Sequence, residues 1–286
     1  MNPPRITIIG VGLIGGSLGL ALTAAGHDVT GVDSDRDSLD IAVGRGSITR
    51  GTTDLAAGVA EADVVFLCTP VLQIPALAAR IAPRLKAGAI VTDVGSTKKY
   101  LGEKITRLLP RGVHYVGGHP MAGREKSGIA AADTNLFRDR RYILTPDAAT
   151  PAAAVATVAG LIRETGARVS VMDIIHHDDC AAVISHVPHV VAAGLVNLLG
   201  RYPGEEENIG ALAGGGFCDT TRIASSDADM WADICLTNPA AITAGLEELQ
   251  VLLGDVVAAI RRGDRAAVHA YFAAAKARRD NIISSL

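Results

Sequence analysis

His119 lies in the run Gly117-Gly118-His119-Pro120-Met121-Ala122-Gly123, directly after the apolar stretch Tyr115-Val116. An imidazole with an ordinary pKa of about 6.5 is largely neutral at pH 7, so it can accept a proton from an alcohol as a hydride leaves. Flanking glycines let the backbone turn sharply and come close to a ligand, and Pro120 fixes one φ angle and removes an N–H. The spacing predicts a general base in a tight loop at a strand end. The competing reading is a histidine satisfied by backbone groups in that loop.

A hydride needs an acceptor, and the chain opens with one candidate site for it. Gly10-Val11-Gly12-Leu13-Ile14-Gly15 is a G-x-G-x-x-G run that follows an apolar stretch at Ile6–Ile9 and opens an Ala/Leu-rich segment. In that context Gly10 makes the tight turn and Gly12 admits a pyrophosphate. Gly15 allows close helix–strand packing, and the helix N-terminus, including Leu13 and Ile14, faces the phosphates. A packing turn in a flavodoxin-like domain is the plainer alternative. Asp33 ends the next apolar run, where a carboxylate accepts hydrogen bonds from ribose hydroxyls and repels a 2′-phosphate. This favours NAD over NADP, although Arg36 nearby offers a guanidinium to a phosphate or a stacking surface to adenine. Thr69-Pro70 and Gly95-Ser96 also follow apolar runs and are placed to border a nicotinamide. Ser96 either orients His119 or touches substrate, or it simply caps the helix containing Lys98.

Ser185, His186 and His189 share a later apolar segment, with Ser185 and His189 four apart and on one helical face. Pro188 between them should bend that helix. His176, His177, Asp178 and Asp179 precede them. No known ligand spacing appears, so they read as a polar helix start and no metal site is assigned. Gly214-Gly215-Gly216 beside Asp219 and Arg222 resembles a binding loop more than a linker. Arg222 can hold a substrate carboxylate bidentately, or it can pair with Asp219 or Asp227.

These residues need a scaffold, and the hydrophobic periodicity supplies one. Strands are expected at Arg5–Ile9, Asp28–Val32, Val64–Cys68, Ala89–Asp93, His114–Val116, Tyr142–Leu144 and Arg168–Met172, with helical segments between them and Pro151 at a helix start. This alternation predicts an α/β, doubly wound parallel sheet of Rossmann type over residues 1–172. From Ile174 onward only helical periodicity appears, at Ala181–Leu199, Ala240–Arg262 and Arg265–Ser284. Residues 173–286 are therefore expected to form an all-helical domain that binds substrate and buries apolar surface in a homodimer.

The 286 residues are 49% hydrophobic and only 3% aromatic, with a formal net charge of −3 and no block of like charge. Nothing points to nucleic acid or an anionic membrane. Four scattered cysteines (Cys68, Cys180, Cys218, Cys235) fit a reduced, cytoplasmic protein. No signal peptide is read at Met1–Arg5, and the apolar stretch Val187–Leu199 is too short to span a bilayer.

Taken in order, six segments resemble the prephenate/arogenate dehydrogenases of tyrosine biosynthesis. They are Gly10–Ser17, Leu67–Pro70, Thr92–Lys98, Gly118–Gly123, Ser185–His189 and Gly216–Ala224. The resemblance implies oxidative decarboxylation: hydride leaves C4 of a cyclohexadienol ring for NAD, His119 accepts the 4-hydroxyl proton, and loss of carbon dioxide aromatises the ring. It further implies that Ser96 hydrogen-bonds near the 4-hydroxyl and His119, and that Arg222 binds a substrate carboxylate. Ser185, His189 and Gly215 would line the pocket, Trp231 would close it, and Glu125 and Asp219 would form a polar gate. His189 would also contact tyrosine bound as a feedback inhibitor. The implied family dimerises through its helical domain. Arg124 departs from the small polar residue common in relatives, and the short C-terminus leaves any tyrosine feedback to the active site. The substrate reading is prephenate, favoured modestly by His189. Arogenate or dual specificity is the alternative, because a pocket built for a keto group or an ammonium can reject the other strongly. More distant alternatives are another two-domain hydroxyacid dehydrogenase and a non-enzymatic NAD sensor.

Overall fold

The computed structural model describes residues 3–124, 126–202, 204 and 206–284. The first half alternates as expected: β1 (Ile6–Ile9), α1 (Leu13–Ala24), β2 (Val29–Val32), α2 (Arg36–Gly44), β3 (Arg50–Thr52), α3 (Leu55–Val59), β4 (Val64–Leu67), α4 (Ile74–Ile81), β5 (Ile90–Asp93), α5 (Lys99–Leu108), β6 (His114–Pro120), β7 (Arg141–Thr145), α6 (Ala152–Glu164) and β8 (Arg168–Val171). Helices follow: α7 (Ile174–Ala181), a π-helical turn at Ala182–His186, α8 (Val187–Leu199), α9 (Glu206–Ala211), α10 (Gly215–Thr221), α11 (Ala228–Thr237), α12 (Pro239–Arg261) and α13 (Arg265–Ser284).

The eight strands form one sheet in the order β3-β2-β1-β4-β5-β6-β7-β8. Successive side chains on a strand point to opposite faces, and the sequence exploits this. Ile6, Ile8, Val64 and Phe66 pack with Leu18 and Leu22 of α1 and with Val158 and Ile162 of α6. Ile9, Val65 and Leu67 face the other way, onto Ile74 and Ile81 of α4 and Leu101 and Ile105 of α5. Each such buried side chain contributes about 1.5–3 kcal/mol of transfer free energy.

Two departures from the expected sheet matter. The sheet is parallel from β3 to β6, but β7 runs antiparallel to β6, with His119 opposite Ile143, and β8 follows β7 in parallel. Apolar periodicity gives no strand direction. The edge strand β3 was not expected, because Arg50-Gly51-Thr52 is short and mostly exposed, with no apolar alternation to mark it.

The described residues divide into two compact units at Pro239/Ala240. The smaller unit contains α13 and nearly all of α12. Gly263, at φ +66, ends α12 by donating to the Ile260 carbonyl, and Asp264 caps α13 through the Ala267 N–H. Leu252, Val257, Ile260 and Phe272 of this unit are exposed apolar residues.

Among the described residues, one helical run, Ile174–Leu199, is long and apolar enough to cross a bilayer by length and composition alone. The Val187–Leu199 stretch judged too short is the second half of it. The run carries buried His177, Asp178 and His186, a poor set of side chains to leave among lipid tails.

Candidate active site

The glycine run after β1 has the geometry a dinucleotide needs. Gly10 has φ +90, and a Cβ there would lie 2.6 Å from the Cys68 carbonyl oxygen. At Gly15 a Cβ would lie 1.9 Å from the Gly10 carbonyl oxygen, so helix and strand can meet only without a side chain. Gly12 differs: a Cβ there would meet nothing within 4 Å. Gly12 caps α1 with no side-chain hydrogen bond, so it leaves an open approach to the first N–H groups of the helix, beside half-buried Leu13 and Ile14. The Asp33 carboxylate accepts from Val11 N–H at 2.9 Å and from Asp35 N–H at 3.0 Å, which fixes it at the lip of the same loop. Arg36 opens α2 and is exposed. Thr69 follows β4 with its Oγ1 buried and unpartnered, and Pro70 beside it is exposed. An open cradle, an anchored carboxylate and an orphaned hydroxyl fit a bound dinucleotide.

His119 sits on β6, one strand across from β5. The tight loop expected there is absent, because Gly117–Pro120 pairs residue by residue with Tyr142–Thr145. Neither glycine has positive φ. They are required by close packing instead. A Cβ on Gly117 would lie 2.5 Å from Thr145 Oγ1, and one on Gly118 would lie 2.5 Å from the Asp93 carbonyl oxygen.

Beneath this strand is a buried polar cluster. Lys98 Nζ pairs with Asp93 and donates to the Gly118 carbonyl at 2.6 Å, while Tyr115 OH donates to Asp93 Oδ2 at 2.6 Å. Burial pulls the Lys98 pKa down and the Asp93 carboxylate opposes it. Every charge in the cluster has a partner, as burial demands.

His119 Nδ1 lies 2.8 Å from His177 Nε2. Ser96, half-buried after β5, makes no hydrogen bond to His119 among the described residues, nor does its side chain cap α5. The Asp178 carboxylate performs that capping, accepting from Lys98 N–H at 2.8 Å and Lys99 N–H at 2.9 Å. His177 and Asp178 lie inside α7, and only the tertiary fold brings His177 against His119.

Burial pushes His119 well below the ordinary histidine range, helped by His177, Lys98 and His186. Burial likewise lowers His186 to about 4. The unfolded chain therefore takes up protons on these histidines at a higher pH than the folded one does. Stability should fall as the pH drops from about 6.5 towards 4, and it should be fully retained above that window. Thermal melting across pH 4–8 tests this, and a flat midpoint between pH 6.5 and 4 would contradict it.

A second group of side chains gathers around α8. Pro188 lies in its first turn, just after the π-turn that carries Ser185; such turns recur at functional sites. His189 Nδ1–H donates to the Ser185 carbonyl at 2.8 Å, and the His189 ring stacks on Trp231 at 3.7 Å. Burial lowers the His189 pKa, and Arg222 is close enough to lower it further. Gly214–Gly216 is only partly the expected loop: Gly214 is extended and α10 begins at Gly215. Gly215, Asp219 and Arg222 are exposed. Glu125 lies outside the described residues, and its neighbour Arg124 pairs with Asp133.

A glycine cradle with an anchored carboxylate at its lip, in a sheet that also carries a buried neutral imidazole, fits a dinucleotide-dependent dehydrogenase of two-part architecture. Residues 18–171 match the family model described as prephenate dehydrogenase, nucleotide-binding domain, and residues 174–274 match its dimerization domain. The chain belongs to the prephenate dehydrogenase family. It is 37% identical to the prephenate dehydrogenase of Bacillus subtilis over 99% of this chain and 77% of that one. It is 39% identical to the cyclohexadienyl dehydrogenase of Zymomonas mobilis over 83% of this chain and 82% of that one. Among solved structures, prephenate dehydrogenase from A. aeolicus, in complex with hydroxyphenyl propionate and NAD+, superposes with a TM-score of 0.91 at 33% identity, covering 99% of both chains.

Proposed function

We propose that this protein is an NAD-dependent prephenate dehydrogenase, which oxidatively decarboxylates prephenate to 4-hydroxyphenylpyruvate in tyrosine biosynthesis. The observation that carries the reading is the buried, neutral imidazole of His119 on a sheet whose β1–α1 loop is shaped for a dinucleotide. NAD, when bound, supplies the hydride acceptor. Gly10, Gly12, Gly15 and the first turn of α1 hold its phosphates, and Asp33 accepts from its ribose hydroxyls and disfavours a 2′-phosphate. Thr69, Pro70 and Ser96 border its nicotinamide end, and Arg36 lies towards the adenosine end.

His119 accepts the 4-hydroxyl proton of the substrate at the ring nitrogen that does not contact His177. Its lowered pKa keeps that nitrogen bare at neutral pH. Ser96 hydrogen-bonds the reacting hydroxyl, and Arg222 pairs with a substrate carboxylate. Ser185, His189 and Gly215 line the pocket that Trp231 closes, with Asp219 and Glu125 at its entrance. The functional division falls at 172/173, in keeping with the two family matches. The helical part forms a homodimer, supported by the dimerization-domain match and by the exposed apolar residues of α12 and α13. The enzyme works in the cytoplasm, and any tyrosine feedback acts at the active site near His189.

Arogenate oxidation, alone or beside prephenate, is the second reading, favoured by the cyclohexadienyl dehydrogenase relative. Spectrophotometric assay of NADH and NADPH formation with each substrate tests all of this. Turnover of prephenate with NAD is expected, while exclusive use of arogenate or a clear NADP preference would overturn the corresponding statement. Arg222→Ala should raise KM by about 10–10²-fold with a smaller effect on kcat, as expected when a hydrogen bond to a charged group worth about 1.5–3 kcal/mol is removed. An unchanged KM would remove Arg222 from substrate binding.

A further inference from the structure

We infer that His177 and Asp178 are positioning residues that fix the tautomer of His119, and so decide which of its nitrogens is available as the base. The inference deepens the proposed dehydrogenase reading and rests on it for its kinetic arm alone.

The assignment follows from counting protons. Asp178 Oδ1 accepts the Lys98 N–H and Oδ2 accepts the Lys99 N–H, so the carboxylate is committed as an acceptor. His177 Nδ1 lies 2.8 Å from the same Oδ1 and must therefore be the donor in that contact. A neutral imidazole carries one N–H, so His177 Nε2 is bare. That bare nitrogen lies 2.8 Å from His119 Nδ1, which must then carry the hydrogen. His119 Nε2 is left bare as the proton acceptor. Both rings are buried, so water cannot easily relax the arrangement. The anchor is rigid as well. Asp178 is bound to the start of α5, and its own carbonyl accepts from Asn238 Nδ2 at 2.9 Å. No proton passes along this chain in the reaction. When His119 takes up the substrate proton, His177 Nε2 accepts the hydrogen bond of the new imidazolium.

The test is imidazole nitrogen NMR on 15N-histidine-labelled, NAD-loaded full-length protein, with the His119 signals assigned by their loss in His119→Asn. Wild type should show His119 with Nδ1 protonated and Nε2 bare. His177→Leu, which leaves the α5 cap intact, should lose that tautomer and lower kcat by about 10²–10⁴-fold, the scale seen when the group orienting a catalytic histidine is removed. The affinity for NAD should not change. His177→Gln keeps an acceptor oxygen and should restore both the tautomer and a large part of kcat. A protonated Nε2 on His119 in wild type would overturn the inference, as would a His177→Leu protein with wild-type tautomer or turnover. If wild type oxidises neither prephenate nor arogenate, the functional reading falls while the tautomer measurement still decides this one.

Discussion

His119→Asn is expected to lower turnover by about 10²–10⁴-fold, the usual contribution of a general base. Asparagine preserves approximate size and one hydrogen-bond donor, but it offers no basic nitrogen. His177 would retain a partner, so the cluster under β6 should survive and folding should be largely unaffected. The cradle of β1 and α1 does not include this residue, so the NAD dissociation constant should be unchanged. Steady-state kinetics together with an equilibrium NAD titration separates the two quantities. A variant that turns over like wild type removes His119 from the mechanism, and a variant that loses NAD binding gives it a different role.

Gly10→Ala is the second large effect. Two penalties coincide at this residue. Its φ of +90 lies where an L side chain is strained, and the new Cβ would press to 2.6 Å of a backbone oxygen that cannot swing aside. Strain of this kind costs about 1–3 kcal/mol, and overpacking a tight site adds about 1–3 kcal/mol more. The loop can relieve this only by moving away from the Cys68 end of β4, which displaces the N-terminus of α1. A lower melting temperature and at least tenfold weaker NAD binding are expected, measured by thermal unfolding with and without NAD. Wild-type affinity in a stable Gly10→Ala protein would show that the loop does not cradle the dinucleotide.

What could be read from the chain alone was what is local in it. The glycine fingerprint after β1 is a contiguous pattern, and its turn and helix start fall where the sequence puts them, whereas the run around His119 is strand and not the tight loop its glycines suggest. The strand centres were legible because Val, Ile and Leu recur in short runs between helix-length segments. The reversal at β7 was not, since the alternation of Tyr142, Ile143 and Leu144 is the same in either direction. Nor was the role of the glycines at 117 and 118. Their need arises from Thr145 and Asp93, which reach them only in the folded sheet. The partner of His119 was missed for the same reason. His177 is 58 residues away, and the packing of α7 brings it to the His119 ring. Burial of Lys98 could have been suspected from Asp93 five residues earlier, but an isolated pair at that spacing is equally at home in solvent.

The scarcity of aromatic residues has a practical consequence. Trp231 is the only indole in the chain, and it lies against the His189 ring in the proposed pocket. Intrinsic emission excited at the red edge of protein absorption therefore originates from this one locality. Ligands that displace or sandwich that ring should alter the emitted light directly, so occupancy can be followed in unlabelled protein, including in catalytically dead variants where no product forms.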